Sequence, residues 1–268
     1  MRLRVATWNL WWRFGEPDRR RPAILETLRA VDADVIGLQE VWSHGDTDLA
    51  TELAAELGMH AVFGASPDPS SWTSRVRTDH GIGNAVLARW PVRPRHLEGL
   101  TGTGRVLLGT TVDTPAGSWQ VQCAHLTSSV TGSAQRCEQV RAIARHVVAA
   151  DPTDLPPLVV GDFNAEAASD EMRLVEGHLT APAEPGLVLV NTRRWAADPD
   201  EPTWTPANPY VAPSGSPPSR IDHVLLGAGR GSVPLRVAGT AVFGDGPGAE
   251  GVWPSDHHGI LVDLEVVA

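Results

Sequence analysis

A chain of 268 residues suits one large α/β domain or two small ones, with a substantial core. Its 42% hydrophobic and 20% charged content is that of an ordinary globular protein, and no apolar run approaches the length of a membrane span. The net charge of −10 weighs against a large non-specific nucleic-acid surface, although a metal site also concentrates acid. Residues 1–10 are too short a run, and too interrupted by Arg2 and Arg4, for a signal peptide, so a cytoplasmic enzyme is expected. Cys123 and Cys137 offer no disulfide framework. Both fall in apolar patterns and are expected to be buried thiols.

In chain order, a first strand is expected over Arg2–Trp8. Ile24, Leu25, Leu28 and Val31 keep helical spacing after Pro22. A strand follows at Asp34–Gln39. Leu49, Leu53 and Leu57 then predict a helix that Gly58 stops. Ile82–Ala88 reads as a strand. Arg105–Thr114 and Ser118–His125 read as neighbours across a Pro-Ala-Gly turn. Ser133–Ala150 predicts a helix with Cys137, Val140, Ile143, Ala144 and Val147 on one face. The strand Leu158–Asp162 is followed by a short helix at Ser169–Glu176 with an acidic first turn. The proline-rich stretch Ala196–Ser219 reads as a long loop. Ile221–Leu226, Leu235–Phe243 and Ile260–Val267 complete the strands. So many strands with few intervening helices argue against a simple alternating pattern. An α/β fold of two packed sheets flanked by helices fits better. With no linker or repeat, one domain over residues 1–268 is expected.

Five segments share one design, an apolar run ending in residues that bear oxygen or imidazole. They end at Asn9, at Gln39-Glu40, at Asp162-Phe163-Asn164, at Asp222-His223 and at Asp256-His257-His258. A carboxylate closing a buried strand is poorly solvated unless something charged pairs with it. Five such termini suggest a shared cation. The oxygen donors of Asn9, Glu40, Asp162, Asn164 and Asp256 suit magnesium, manganese or calcium. Zinc fits poorly at this constellation. There is no cysteine pair and no His-Glu-x-x-His, and the adjacent His257 and His258 point to opposite sides of a strand.

The pieces Thr7-Trp8-Asn9, Leu38-Gln39-Glu40, Gly83-Asn84-Ala85-Val86-Leu87, His125-Leu126-Thr127, Gly161-Asp162-Phe163-Asn164, Arg220-Ile221-Asp222-His223 and Ser255-Asp256-His257 occur in that order. Together the chain resembles the endonuclease/exonuclease/phosphatase superfamily, from residue 7 to residue 257. The resemblance implies a four-layer α/β sandwich of two mixed β-sheets flanked by helices. It implies a phosphoesterase dependent on Mg²⁺ or Mn²⁺, acting by in-line attack of water.

By the same resemblance, Glu40 holds the metal, with Asn9 and Asp256 beside it. Asp162 orients or deprotonates the water. Asn164 hydrogen-bonds the phosphate. Asp222 pairs with His257, which acts as a general base or as a charged phosphate ligand. His125 contacts the phosphate or protonates the leaving oxygen, and tyrosine stands there in apurinic endonucleases. Asn84 and Arg105 are candidate substrate-binding residues, Asn84 through support of its turn. His80, His223 and His258 have more ordinary readings as loop or core histidines.

A phosphate-ester substrate is expected, nucleic acid among the candidates, with no obligate protein partner. A phosphodiesterase or nuclease is the first reading. A phosphomonoesterase on a sugar, inositol or lipid headgroup is the second, and a catalytically silent binding protein on the same fold the third. Arg19–Arg21, Arg93 with Arg95, and Arg193 with Arg194 are the basic clusters that could track phosphates, though solvated surface is their commoner role. Trp11, Trp12, Trp72, Trp195, Trp204 and Trp253 lie near expected loops, where they could stack on a base, sugar or headgroup.

Overall fold

The computed structural model describes residues 1–76, 78–93, 96–102 and 104–267. Its strands are β1 (Arg2–Asn9), β2 (Val35–His44), β3 (Thr47–Asp48), β4 (His60–Ala65), β5 (Gly81–Ala88), β6 (His96–Gly99), β7 (Val106–Thr114), β8 (Gly117–His125), β9 (Leu158–Asp162), β10 (Leu189–Asn191), β11 (Asp222–Gly227), β12 (Leu235–Phe243) and β13 (Gly259–Val266). The helices are α1 (Pro17–Val31), α2 (Leu49–Leu57), α3 (Ser70–Thr73), α4 (Ser133–Ala149) and α5 (Asp170–Glu176).

One sheet runs β12-β13-β1-β2-β5-β4, with β3 against β2. The other runs β10-β11-β9-β8-β7-β6. Each mixes parallel and antiparallel pairs: β1 with β2 and β8 with β9 are parallel. Side chains alternate across a strand, so each sheet presents one face to its partner sheet and one to its helices. Val5, Val35, Val86, Leu108, Trp119, Val121, Val160 and Val262 fill the space between the sheets. On the outer face of the first sheet, Ile24, Leu25 and Leu28 of α1 and Leu49 and Leu53 of α2 cover Trp8, Ile36, Leu38 and Leu87. On the outer face of the second, Val140, Ile143, Ala144 and Val147 of α4 and Met172 and Val175 of α5 cover Leu107, Val159 and Leu225. The four layers are helices, sheet, sheet, helices, as the resemblance implies.

The helix ends follow local chemistry. Asp48 caps α2 by accepting from the Thr51 N–H, and Gly58 ends it in the left-handed region. Ser169 caps α5 in the same way through Met172. The first helix starts earlier than its apolar spacing suggests, at Pro17, and carries Pro22 inside it. Pro22 is exposed, so the backbone bond it forgoes lies on the solvent side. Cys123 is buried, but Cys137 is only half-buried, at the margin of the apolar stripe of α4. The strands with no clear pattern in the sequence, β3, β4, β6 and β10, are short and lie at sheet edges or off the main path. Edge strands bury less side-chain surface, so they show weaker alternation.

Candidate active site

The two sheets bring the polar strand ends together at one end of the sandwich. In the second sheet, Asp162 is the register partner of His125 on β8 and of Asp222 on β11, so three residues form one row across three strands. The preceding Gly161 has φ of 151°, and a Cβ there would lie 2.0 Å from the Ala124 carbonyl oxygen. Only glycine lets β9 approach β8 closely enough to keep that row. From the first sheet, Asn9 at the end of β1 donates from Nδ2 to Asp162 Oδ2 at 3.0 Å. One amide thus ties the two sheets at the site.

Glu40 does not end its strand. The β2 strand runs on to His44, and its register with β5 shifts between Leu38 and Val41. Glu40 lies in that bulge with φ of 54°. A bulge turns a side chain out of the regular alternation at the cost of a left-handed residue. Here Glu40 reaches the cavity from the middle of a strand. Its Oε1 accepts from Trp72 Nε1 at 3.2 Å, while the buried Oε2 has no hydrogen-bond partner among the described residues.

Asp162 carries the densest set of contacts. Its Oδ1 accepts the Asn164 N–H at 2.8 Å, closing an Asx turn in which Asn164 has φ of 49°. Its Oδ2 faces Asn9 Nδ2, His125 Nε2 at 3.3 Å and His257 Nε2 at 3.8 Å. Burial alone would raise this carboxyl. The His257 and His125 rings and the Asn9 amide overcome burial and hold it well below the usual range.

His257 Nδ1 lies 2.9 Å from Asp222 Oδ2. Burial opposes a charge on His257, but Asp222, Asp256 and Asp162 surround it and raise its pKa well above the ordinary value. Burial in turn pushes the Asp222 carboxyl up, with Asp162 adding to the shift and His257 opposing it. Asp256 is pushed up to about 7, chiefly by burial and then by the nearby Glu40 carboxylate, against the pull of His257 and Arg20. Two carboxylates held together, one with an unpaired buried oxygen, fit a hard divalent cation.

His125 goes the other way. Burial and the Arg105 guanidinium lower its pKa, so its ring is neutral near pH 7. Arg105 NH1 lies 2.7 Å from His125 Nδ1, and NH2 donates to Ser128 Oγ at 3.2 Å. The same NH1 lies 2.5 Å from His125 Nε2, so the guanidinium, which only donates, covers both ring nitrogens. The guanidinium also lies 4.7 Å over the Trp72 ring. Arg105 therefore packs behind the site and fixes His125 and Trp72. Asn84 is likewise outside the cavity wall. It is buried and donates to the Val106 carbonyl at 2.8 Å, bridging the sheets.

Asn9, Glu40, His125, Asp162, Asn164, Asp256 and His257 line a half-open cavity of about 420 Å³. Trp11, Phe14, Arg75, Trp204, Ser216, Pro217 and Ser219 form its outer wall. The long loop thus contributes Trp204 and Ser216–Ser219, and its Thr203 hydroxyl accepts the Asp222 N–H at 3.2 Å.

The other histidines are tied elsewhere. His80 contacts the Thr78 hydroxyl and stacks on His44. His223 spans Asn191 and the Ala165 carbonyl, and burial lowers its pKa to about 4. His258 stacks on Trp253.

Among the basic clusters, Arg19 and Arg21 pair with Glu16, Glu52 and Glu56. Arg93 pairs with Asp113, Arg193 with Asp200 and Arg194 with Glu176. Arg95 lies outside the described residues.

Arg20 is the residue whose place the sequence hid. It is fully buried and donates to the carbonyls of Leu10, Trp11, Trp12, Phe14 and Pro254. Trp11 and Trp12 both have positive φ, so the chain after Asn9 is a tight, strained turn that Arg20 holds closed. Burial lowers the Arg20 pKa to about 10, with Asp256 opposing the shift. Ser255 adds a second clasp, donating to the Asn9 carbonyl at 2.6 Å and accepting the His257 N–H. A position between Arg19 and Arg21 gave no sign of this role.

A model of the endonuclease/exonuclease/phosphatase family matches residues 6–257. The chain belongs to that family. Family members are metal-dependent phosphoesterases and nucleases, and the buried acid–histidine cluster lies where the matched motifs converge. No curated protein sequence matches this family member. Among solved structures, an endonuclease/exonuclease/phosphatase protein from Beutenbergia cavernae DSM 12333 is 23% identical with a TM-score of 0.73, over 99% of this chain and 72% of that one. D. rerio TDP2 complexed with a single-strand DNA product is 19% identical with a TM-score of 0.74, over 98% and 99%. The human Nocturnin catalytic domain with a bound sulfate anion is 19% identical with a TM-score of 0.69, over 99% and 95%. At these identities the likeness is one of fold. Among the described residues, no helix is long and apolar enough to cross a membrane.

Proposed function

We propose that this protein is a divalent-metal-dependent phosphodiesterase that hydrolyses its substrate by in-line attack of water. The observation that carries the reading is the convergence of Asp162, His257 and an unpaired buried Glu40 oxygen on one cavity. Glu40, Asp256 and the side-chain oxygen of Asn9 would hold Mg²⁺ or Mn²⁺. When bound, the ion supplies Lewis-acid stabilisation of charge on phosphoryl and leaving oxygens.

The chain's own groups divide the remaining work. Asp162 is anchored on one oxygen by the Asn164 N–H and turns the other toward the cavity, where it can aim a water at phosphorus. His257, charged through Asp222 and its neighbours, suits the role of a fixed positive charge beside a non-bridging oxygen better than that of a base. Asn164 and neutral His125 offer further hydrogen bonds as charge develops. Arg105 and Asn84 act by positioning His125 and the sheets.

The diester reading is favoured over the monoester by the cavity's outer wall. Trp11, Phe14 and Trp204, with Arg75 stacked 4.4 Å over Phe14, present rings and a cation to a second substituent on phosphorus. Nucleic acid is one candidate of that shape. The test is hydrolysis of bis-p-nitrophenyl phosphate against p-nitrophenyl phosphate with Mg²⁺ or Mn²⁺, alongside single-stranded DNA, RNA and inositol phosphates. Preference for diesters is expected. Turnover of monoesters alone would replace this reading with the phosphomonoesterase.

A further inference from the structure

Outside the cavity, a second group of ligating side chains gathers where α4 crosses the edge of the second sheet. His96 and Glu98 stand two apart on β6, so both point to the same face. That face is the one α4 covers, because the register partner of Glu98 is Leu107, which packs against α4. His146, in the last turn of α4, comes down onto them. Its Nδ1 lies 3.6 Å from Glu98 Oε2, and its ring lies 4.3 Å from that of His96. One ligand atom from each of the three residues lies within 4.8 Å of the others.

Two further observations separate this group from a chance surface cluster. The first is Gly109, the register partner of both His96 and Gln122. It sits mid-strand without the positive φ that would require glycine, and glycine there weakens a strand. A Cβ on Gly109 would lie 2.5 Å from Gln122 Oε1 and 2.8 Å from His146 Nε2. The missing side chain leaves a space bounded by those two atoms. The second is Gln122 itself. It is 1% exposed, yet its Oε1 has no hydrogen-bond partner among the described residues. A buried carbonyl oxygen aimed into a space beside two imidazoles and a carboxylate lacks a positive partner.

We propose that His96, Glu98 and His146, with the Gln122 carbonyl oxygen beneath them, bind one divalent transition-metal ion of the zinc class. Two imidazoles and a carboxylate suit such an ion, whereas the oxygen-rich cavity suits magnesium or manganese. The ion would tie the edge strand β6 to the end of α4. Its position is that of a staple: Gln122 stands three residues before His125 on β8, roughly 10 Å from the active-site end of the strand, and none of the four residues lines the cavity. His44, Asp79 and His80 also cluster, but they are mostly exposed, and among the described residues no buried unpaired acceptor faces them.

The test is calorimetric titration of Zn²⁺ into the chelator-stripped full chain with Mg²⁺ in excess, repeated with Co²⁺ to read its visible absorption. Wild type and the cavity variant Glu40→Ala are expected to bind one tight equivalent, with Co²⁺ bands of four-coordinate intensity. His96→Ala and His146→Ala are each expected to weaken binding roughly tenfold or more. Gly109→Ala should do the same by filling the space, and if it fails to fold the two histidine variants decide. His44→Ala should bind as wild type does. Unchanged affinity in both His96→Ala and His146→Ala, loss of the equivalent in Glu40→Ala or His44→Ala, or no tight Zn²⁺ in wild type would each overturn the assignment.

Discussion

Replacing Asp222 with asparagine tests the electrostatics of the site with almost no change of shape. Asp222 Oδ2 lies 2.9 Å from His257 Nδ1, and both groups are buried. Opposite unit charges about 4 Å apart attract by roughly 4 kcal/mol at an effective dielectric of about 20. That is about three pKa units on the imidazole. Asp162 and Asp256 remain in the variant and keep part of the shift, so a fall of about two units is expected.

A charged His257 contributes stability that is full below the unfolded histidine value of about 6.5 and fades as pH rises through the raised folded value. The stability gap between wild type and Asp222→Asn should therefore be widest near pH 6 and narrow in alkali. Removing a buried carboxylate also relieves its own desolvation, so the net loss is smaller than the Coulomb figure. The cleaner readout is NMR titration of the His257 ring, assigned with His257→Gln. It would be joined by kcat/KM against pH, where a loss of about 10²- to 10⁴-fold is expected at neutral pH. A His257 that titrates near its ordinary value in wild type, or moves by less than about half a unit in the variant, would refute this reasoning.

Three further outcomes follow from the same geometry. The Asp256 carboxyl stands at about 7, so in the metal-free protein its contribution is fully present below its ordinary value of about 4 and is lost as pH rises through about 7. Urea melts should show wild type losing stability relative to Asp256→Asn across that window, and Mg²⁺ should remove the difference. Arg20→Met strands five carbonyl oxygens inside the turn after Asn9, and is expected to cost at least about 3 kcal/mol in denaturant unfolding. Gly161→Ala drives a Cβ into the Ala124 carbonyl, so it should cost roughly 2 kcal/mol or more and lower kcat by displacing Asp162.

The residues most legible in the sequence are those where a buried apolar strand stops at a polar group. Asn9, His125 and Asp162 each close such a strand, and Asp222 opens one. The need to satisfy a buried carboxylate made their gathering readable before any contact was known. Glu40 was legible as a cavity residue but not in its setting. The apolar run before it is the same whether the strand ends there or bulges, and the left-handed residue leaves no mark on the pattern. Arg20 was hidden because a run of three arginines reads as a charged surface, and only the path of the turn shows which one points inward. Arg105 sits beside the cavity rather than in its wall, since its neighbours Trp72 and His125 come from distant segments. The group around His146 was invisible for the same reason. Fifty residues separate its histidines, and only the packing of α4 on the sheet joins them.

The most direct measurement is phosphodiester hydrolysis by wild type and Glu40→Gln, each with Mg²⁺ and with EDTA, with folding checked by circular dichroism. If Glu40 holds the metal, wild type cleaves only with Mg²⁺, and Glu40→Gln stays folded while losing about three orders of magnitude or more in kcat. Hydrolysis that survives EDTA, or a Glu40→Gln enzyme that keeps its full rate, would contradict it.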